Sequence, residues 1–133
     1  MVDQRYRLST GCVYALKYHL VWCPKYRRKV LVDQVADDLQ DLLYQKAEQL
    51  DVTIEALEIM PDHVHLFVSA DPTEAPQRLA NQFKGFTARR LRQMHPHLRS
   101  RLPSLWSRSY YVGSVGHVAE ETIKKYIQEQ KRS

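Results

Sequence analysis

Cysteine is nearly missing from this chain. Cys12 and Cys23 are the only two among 133 residues, which excludes a disulfide framework or a cysteine-built zinc site. They fall at opposite ends of one predicted strand, too far apart to bridge within it. No apolar run is long enough to span a bilayer. The opening residues, Met1-Val2-Asp3-Gln4-Arg5-Tyr6-Arg7, lack the apolar centre of a signal peptide. The expectation is a cytoplasmic protein with reduced thiols and no membrane partner. No repeat, low-complexity tract or linker divides the sequence. Residues 1–133 therefore read as one domain, long enough to bury a core.

Acidic residues are missing from the whole interval between Glu74 and Glu120. That interval holds Arg78, Lys84, Arg89, Arg90, Arg92, Arg99, Arg101 and Arg108. A second basic cluster is Lys25-Tyr26-Arg27-Arg28-Lys29, and the formal net charge is +5. A one-sign block of this length points to a polyanionic partner, nucleic acid first. The acids that are present include Asp33, Asp37, Asp38 and Asp41, which form a patch on one predicted helix.

What is there alternates in a regular order. Residues 1–10 read as a flexible arm. Residues 13–22 are rich in β-branched and aromatic side chains and read as the first strand, ended by Pro24. Its apolar side chains on both faces suit a sheet continued across a subunit interface. Val35, Leu39, Leu42, Leu43 and Leu50 recur at helical spacing and give a helix over 31–50. Residues 52–60 and 63–70 are strands joined by a tight turn at Pro61-Asp62, a hairpin. Thr73 is the expected cap, and Pro76 the first-turn residue, of a second helix over 75–94. Gly85 interrupts that helix and reads as a point of close approach, by nucleic-acid backbone or by a strand. Residues 95–103 read as an irregular basic loop and 106–114 as a fourth strand. Gly113 and Gly116 bracket a turn that could act as a hinge for a last helix over 117–131. The fold class is α+β: a ferredoxin-like, RRM-like βαββαβ sandwich with an extra C-terminal helix.

Chemistry concentrates in Met60-Pro61-Asp62-His63-Val64-His65-Leu66-Phe67. Side chains alternate across a strand, so His63 and His65 share one face while Val64 and Leu66 anchor the other. Two imidazoles and one oxygen donor make a metal site with open positions. On the last helix Tyr126 and Gln130 lie one turn apart on one face. The plain alternative is that Ile123-Tyr126-Ile127 is an amphipathic core stripe. With the histidines, a second possibility opens. A tyrosine hydroxyl can attack a phosphodiester, with a metal ion neutralising the developing charge. The third ligand stays open at this level between the Gln130 amide oxygen, Asp62 and Glu58.

The strings YHLVWCPKYRRKVL, MPDHVHLF, KGFTARRL, LWSRSYYVGSV and IKKYIQEQ resemble, in that order, the HUH endonucleases. Within them they are similar to the small single-tyrosine transposases of insertion sequences (TnpA type). The likeness runs from Tyr14 to Gln130. It implies a transposase that cuts and rejoins single-stranded DNA with Mg2+ or Mn2+, through a 5′-phosphotyrosine and without a nucleotide cofactor. By match it makes Tyr126 the nucleophile, His63 and His65 metal ligands, and Gln130 the third ligand, carried by the C-terminal helix. It also implies a homodimer acting on DNA with hairpin ends. Lys25, Arg27, Arg28, Lys84, Arg89, Arg90 and Arg92 are the candidates for phosphate contacts. Tyr110, Tyr111 and Trp106 are candidates for stacking on unpaired bases, with burial expected for at least one of them. Three rivals remain. One is a non-enzymatic nucleic-acid-binding module of RRM-like fold. The second is a hydrolase using water, and the third a domesticated HUH nuclease specific for palindromes.

Overall fold

The structure is a computed structural model; it describes residues 16–114, and before them the backbone at 7–9 and 12–14. Arg7–Ser9 (β1) pairs antiparallel with Cys12–Tyr14 (β2) in a small hairpin of its own. Part of the expected flexible arm is thus a strand, and the expected first strand is divided. Its main part is Leu16–Pro24 (β3), followed by a 3-10 turn at Lys25–Arg27. The remaining elements are Asp33–Leu50 (α1), Thr53–Met60 (β4), His63–Ala70 (β5), Pro76–Met94 (α2), His97–Ser100 (α3) and Trp106–Ser114 (β6). From β3 to β6 the expected order of strands and long helices is observed. The loop after α2 is less irregular than expected, because Leu98, buried at 1% exposure, pulls α3 onto the body of the fold.

Four strands form one antiparallel sheet in the order β4-β5-β3-β6, the ferredoxin-like arrangement. The first strand lies in the middle, paired with β5 on one side and β6 on the other. Residues 18–22 are paired on both sides within the subunit, so this stretch offers no free edge for a partner's sheet.

Alternation decides which face is covered. Tyr18, Leu20 and Trp22 of β3 register with Val68, Leu66 and Val64 of β5, and all six are buried. Against them pack Val35, Leu39, Leu42, Leu43 and Ala47 of α1 and Leu79, Ala80, Phe83, Phe86 and Leu91 of α2. The one polar side chain of α2 in this layer, Thr87, is satisfied twice. Its hydroxyl donates to the Phe83 carbonyl at 2.7 Å and accepts from Trp106 Nε1 at 3.0 Å. Thr73 does not cap α2. Its N–H and hydroxyl both donate to Asp71 Oδ1, at 2.8 and 2.7 Å, and Ala75 occupies the cap position without a side-chain hydrogen bond. Gly85 is exposed and a Cβ there would meet nothing within 4 Å, so among the described residues no strand packs against it. Gly113 lies within β6 opposite His19, not in a turn. Gly116 and the last helix lie outside the described residues.

Candidate metal centre

The hairpin of β4 and β5 creates the site through its turn length. Pro61 and Asp62 form a two-residue turn, so Met60 faces His63, Ile59 faces Val64 and Glu58 faces His65. Directly opposed residues project on the same side of a sheet. Val64 and Ile59 point to the helices; His63, His65 and Glu58 point to the other face. The two imidazoles stand 4.8 Å apart, ring to ring, at 82°. One ligand atom each from Glu58, His63 and His65 lie within 4.8 Å of one another. Oε1 of Glu58 is 3.8 Å from Nε2 of His65, and the Glu58 side chain is only 3% exposed.

Each imidazole is held by its other nitrogen. Nδ1 of His63 lies 2.7 Å from Oδ1 of Asp62. That hydrogen bond, more than any other influence, holds the Asp62 carboxyl below the usual carboxylate range. An ionised carboxylate only accepts, so Nδ1 of His63 is the donor in this contact, and Nε2 is the nitrogen left for a metal. The other Asp62 oxygen accepts from Arg27 Nη2 at 3.3 Å. Asp62, a rival third ligand from sequence, is thus occupied in orienting His63. Nδ1 of His65 lies 3.0 Å from Nε2 of His19 on β3. Burial, then the charges of His19 and His63, lowers the His65 pKa to about 4, and burial lowers that of His19. Both are neutral at pH 7, the state in which imidazole binds a metal. Two imidazole nitrogens and a buried carboxylate suit a divalent cation; the donor set does not single out which one. A cavity of about 480 Å³ opens beside the pair, lined in part by Cys23, Arg27, Ser109 and Tyr111.

His19 is the residue that sequence reading missed, while Glu58, one of the three open choices for the third ligand, is the one found beside both histidines. Glu58 was legible: two turn residues fix the register and set it opposite His65. His19 carried a weaker signal, as the polar member of an alternation whose partners Tyr18, Leu20 and Trp22 go to the core.

The expected nucleophile Tyr126 and ligand Gln130 lie outside the described residues. The basic candidates divide into groups. Lys25, Lys84 and Arg92 line one groove of about 580 Å³, with Gly85 and Arg108. Lys84 is half-buried there, its Nζ donating to the carbonyls of Ser107 and Arg108 at 2.8 and 3.3 Å, and burial lowers its pKa. Arg92 Nη2 donates to the Leu102 carbonyl at 3.4 Å. Arg27 stands at the histidine cavity instead. Arg28, Arg89 and Arg90 are exposed. Of the aromatic candidates, Trp106 is buried, Tyr110 packs against the core, and Tyr111 is 59% exposed on the histidine side. No helix among the described residues is long and apolar enough to cross a membrane.

Comparison with known proteins gives a consistent answer. The ISDra2 transposase TnpA of Deinococcus radiodurans is 43% identical over 122 residues, covering 90% of this chain and 87% of that one. The transposase for insertion sequence element IS200 of Salmonella typhimurium is 28% identical over 116 residues, covering 86% and 76%. A crystal structure of a candidate transposase from Deinococcus radiodurans superposes with a TM-score of 0.77 at 41% identity, covering 93% of this chain and 97% of that one. A tyrosine transposase solved with a REP hairpin shares the fold, with a TM-score of 0.64 at 13% identity over 90% and 70% of the two chains. The family described as IS200-like transposase matches residues 12–130, and with such a match over almost the full sequence the chain belongs to that family.

Proposed function

We propose that this transposase cuts and rejoins single-stranded DNA at the histidine-bearing face of its sheet, through a covalent bond between Tyr126 and the DNA. The observation that carries the reading is the cross-strand cluster of Glu58, His63 and His65 on a strongly basic chain. A divalent cation held there, Mg2+ or Mn2+, would neutralise charge on the scissile phosphate. His63 and His65 supply two ligands, each through the ring nitrogen not engaged by Asp62 or His19. Gln130 is the third ligand in this reading, and Glu58 an oxygen donor already seated between the strands.

Tyr126 Oη attacks the phosphorus, the 3′-oxygen leaves as a hydroxyl, and a 5′-phosphotyrosine results. Rejoining is the reverse, with a 3′-hydroxyl displacing the tyrosine, so no nucleotide is hydrolysed. Two basic regions serve the DNA. Lys25, Lys84 and Arg92 follow a groove at one end of α2, while Arg27 stands by the histidines. Arg28, Arg89 and Arg90 extend the positive surface. Such contacts bind phosphate without reading sequence. The protein acts as a homodimer on DNA with hairpin ends. The dimer contact does not run through residues 18–22 of β3, which are paired on both sides.

Substituting Tyr126 by Phe separates this reading from a binding module of the same fold. Hairpin DNA binding is expected to persist and cleavage to disappear. Cleavage at the wild-type rate by Tyr126→Phe would sink the tyrosine mechanism and favour water as nucleophile.

A further inference from the structure

We propose that His19 is a positioning residue for His65: it fixes which nitrogen of that ring faces the metal. The inference rests on the metal reading above and adds a residue from a third strand to it. His19 faces Phe67 and Val21 faces His65 in the β3–β5 register. His19 and His65 are therefore diagonal neighbours on one face, within reach of long or aromatic side chains. Their rings stack at 5.2 Å with planes 20° apart, and Nε2 of His19 sits 3.0 Å from Nδ1 of His65.

The donor logic runs in one direction. Nε2 of His65 faces the Glu58 carboxylate at 3.8 Å, the separation of two atoms that could share an ion. To bind a cation, that nitrogen must keep its lone pair, so the ring proton belongs on Nδ1. A proton on Nδ1 needs an acceptor, and the facing nitrogen of His19 accepts only when its own proton is on Nδ1. One hydrogen bond thereby sets both tautomers. A ligating histidine ordinarily has a partner for its second nitrogen, which orients the ring and tunes its basicity. Here the two partners differ: ionised Asp62 behind His63, and a neutral imidazole behind His65. The third strand also holds His19 in place. Its ring meets Tyr111 of β6 edge-on at 6.3 Å and 76°. Tyr111 lies over Gly113, opposite His19, where a Cβ would fall 2.5 Å from the Tyr111 hydroxyl. Glycine at this position lets the tyrosine lie flat beside the histidine.

The test uses the full chain and Mn2+ alone, without DNA. His19→Phe keeps an aromatic ring on the face and removes the acceptor. His19→Gln restores an acceptor at similar reach. Titration calorimetry is expected to show a Kd for Mn2+ about 10–100-fold weaker in His19→Phe, with His19→Gln recovering most of the loss. Melting curves of the metal-free proteins check that each variant folds. Independently of any variant, nitrogen-15 spectra of the wild-type imidazoles read the tautomers directly. The expected result places the protons on Nδ1 of both His19 and His65. A His65 proton on Nε2, or wild-type Mn2+ affinity in His19→Phe, would overturn the positioning role. Failure of the wild-type protein to bind Mn2+ would instead overturn the metal reading itself.

Discussion

Acidifying the metal-free protein should cost it stability over a defined interval, and His65 is the reason. In the unfolded chain this imidazole takes a proton near 6.5; in the fold, burial and the neighbouring His19 and His63 lower that value to about 4. Between these values the unfolded chain binds the proton and the folded chain does not, so stability falls as pH drops. No loss is expected above pH 6.5 and no further loss from this group below about 4. Each pH unit of difference corresponds to about 1.4 kcal/mol, so the full loss is about 3 kcal/mol. The side chain is only 15% exposed, so solvent does little to weaken the effect. His19, lowered by burial, acts in the same direction. Asp62 acts differently: its carboxyl is lowered from 3.8, so the stability it contributes is lost only as pH falls below that region. A scan from pH 7.5 to 4.5 separates the two. The assay is urea unfolding in EDTA of the wild type and of His65→Gln, compared as a difference at each pH. The difference should shift in favour of His65→Gln by about 2–3 kcal/mol across that scan. A difference that stays flat would refute the idea that the fold keeps this ring neutral.

Two further outcomes follow from packing and backbone geometry. Thr87→Val preserves shape but leaves the buried Trp106 Nε1 donor, now 3.0 Å from the threonine hydroxyl, without its acceptor; chemical denaturation should show a loss of about 1–3 kcal/mol, and no loss would mean that this bond contributes nothing. Asp51 ends α1 in the left-handed region at φ 58°, where a Cβ is strained, so Asp51→Gly should raise the melting temperature through a gain of about 1 kcal/mol, whereas a lowered melting temperature would show that the aspartate side chain matters more than the strain.

The fold was legible where one physical signal decided it. The alternation of Val64, Leu66 and Val68 fixed β5 at 63–70, and Pro61-Asp62 fixed the hairpin. The aromatic run with Trp106, Tyr110 and Tyr111 marked β6 at 106–114, and the recurrence of Val35, Leu39, Leu42 and Leu43 marked α1. What escaped depended on distant partners. That β3 lies in the middle of the sheet follows from the ferredoxin-like strand order, not from its own apolar faces, which had suited a sheet continued across a subunit interface. The short α3 is set by the burial of Leu98, not by helical periodicity. Thr73 has the right chemistry for a cap but spends both its donors on Asp71, two residues ahead of the cap position. At the site, the histidine pair was visible because both members lie on one strand. Glu58 and His19 come from neighbouring strands and join it only through register.

A covalent bond from Tyr126 to DNA that depends on the histidine face can be read by intact-protein mass spectrometry. Wild-type protein incubated with single-stranded DNA carrying a cleavable site and Mn2+ should gain the mass of the 3′-side DNA fragment. Peptide mapping should place that mass on Tyr126, and both EDTA and His65→Ala should abolish it. Free cleaved fragments with no adduct, or an adduct on another residue, would contradict the account.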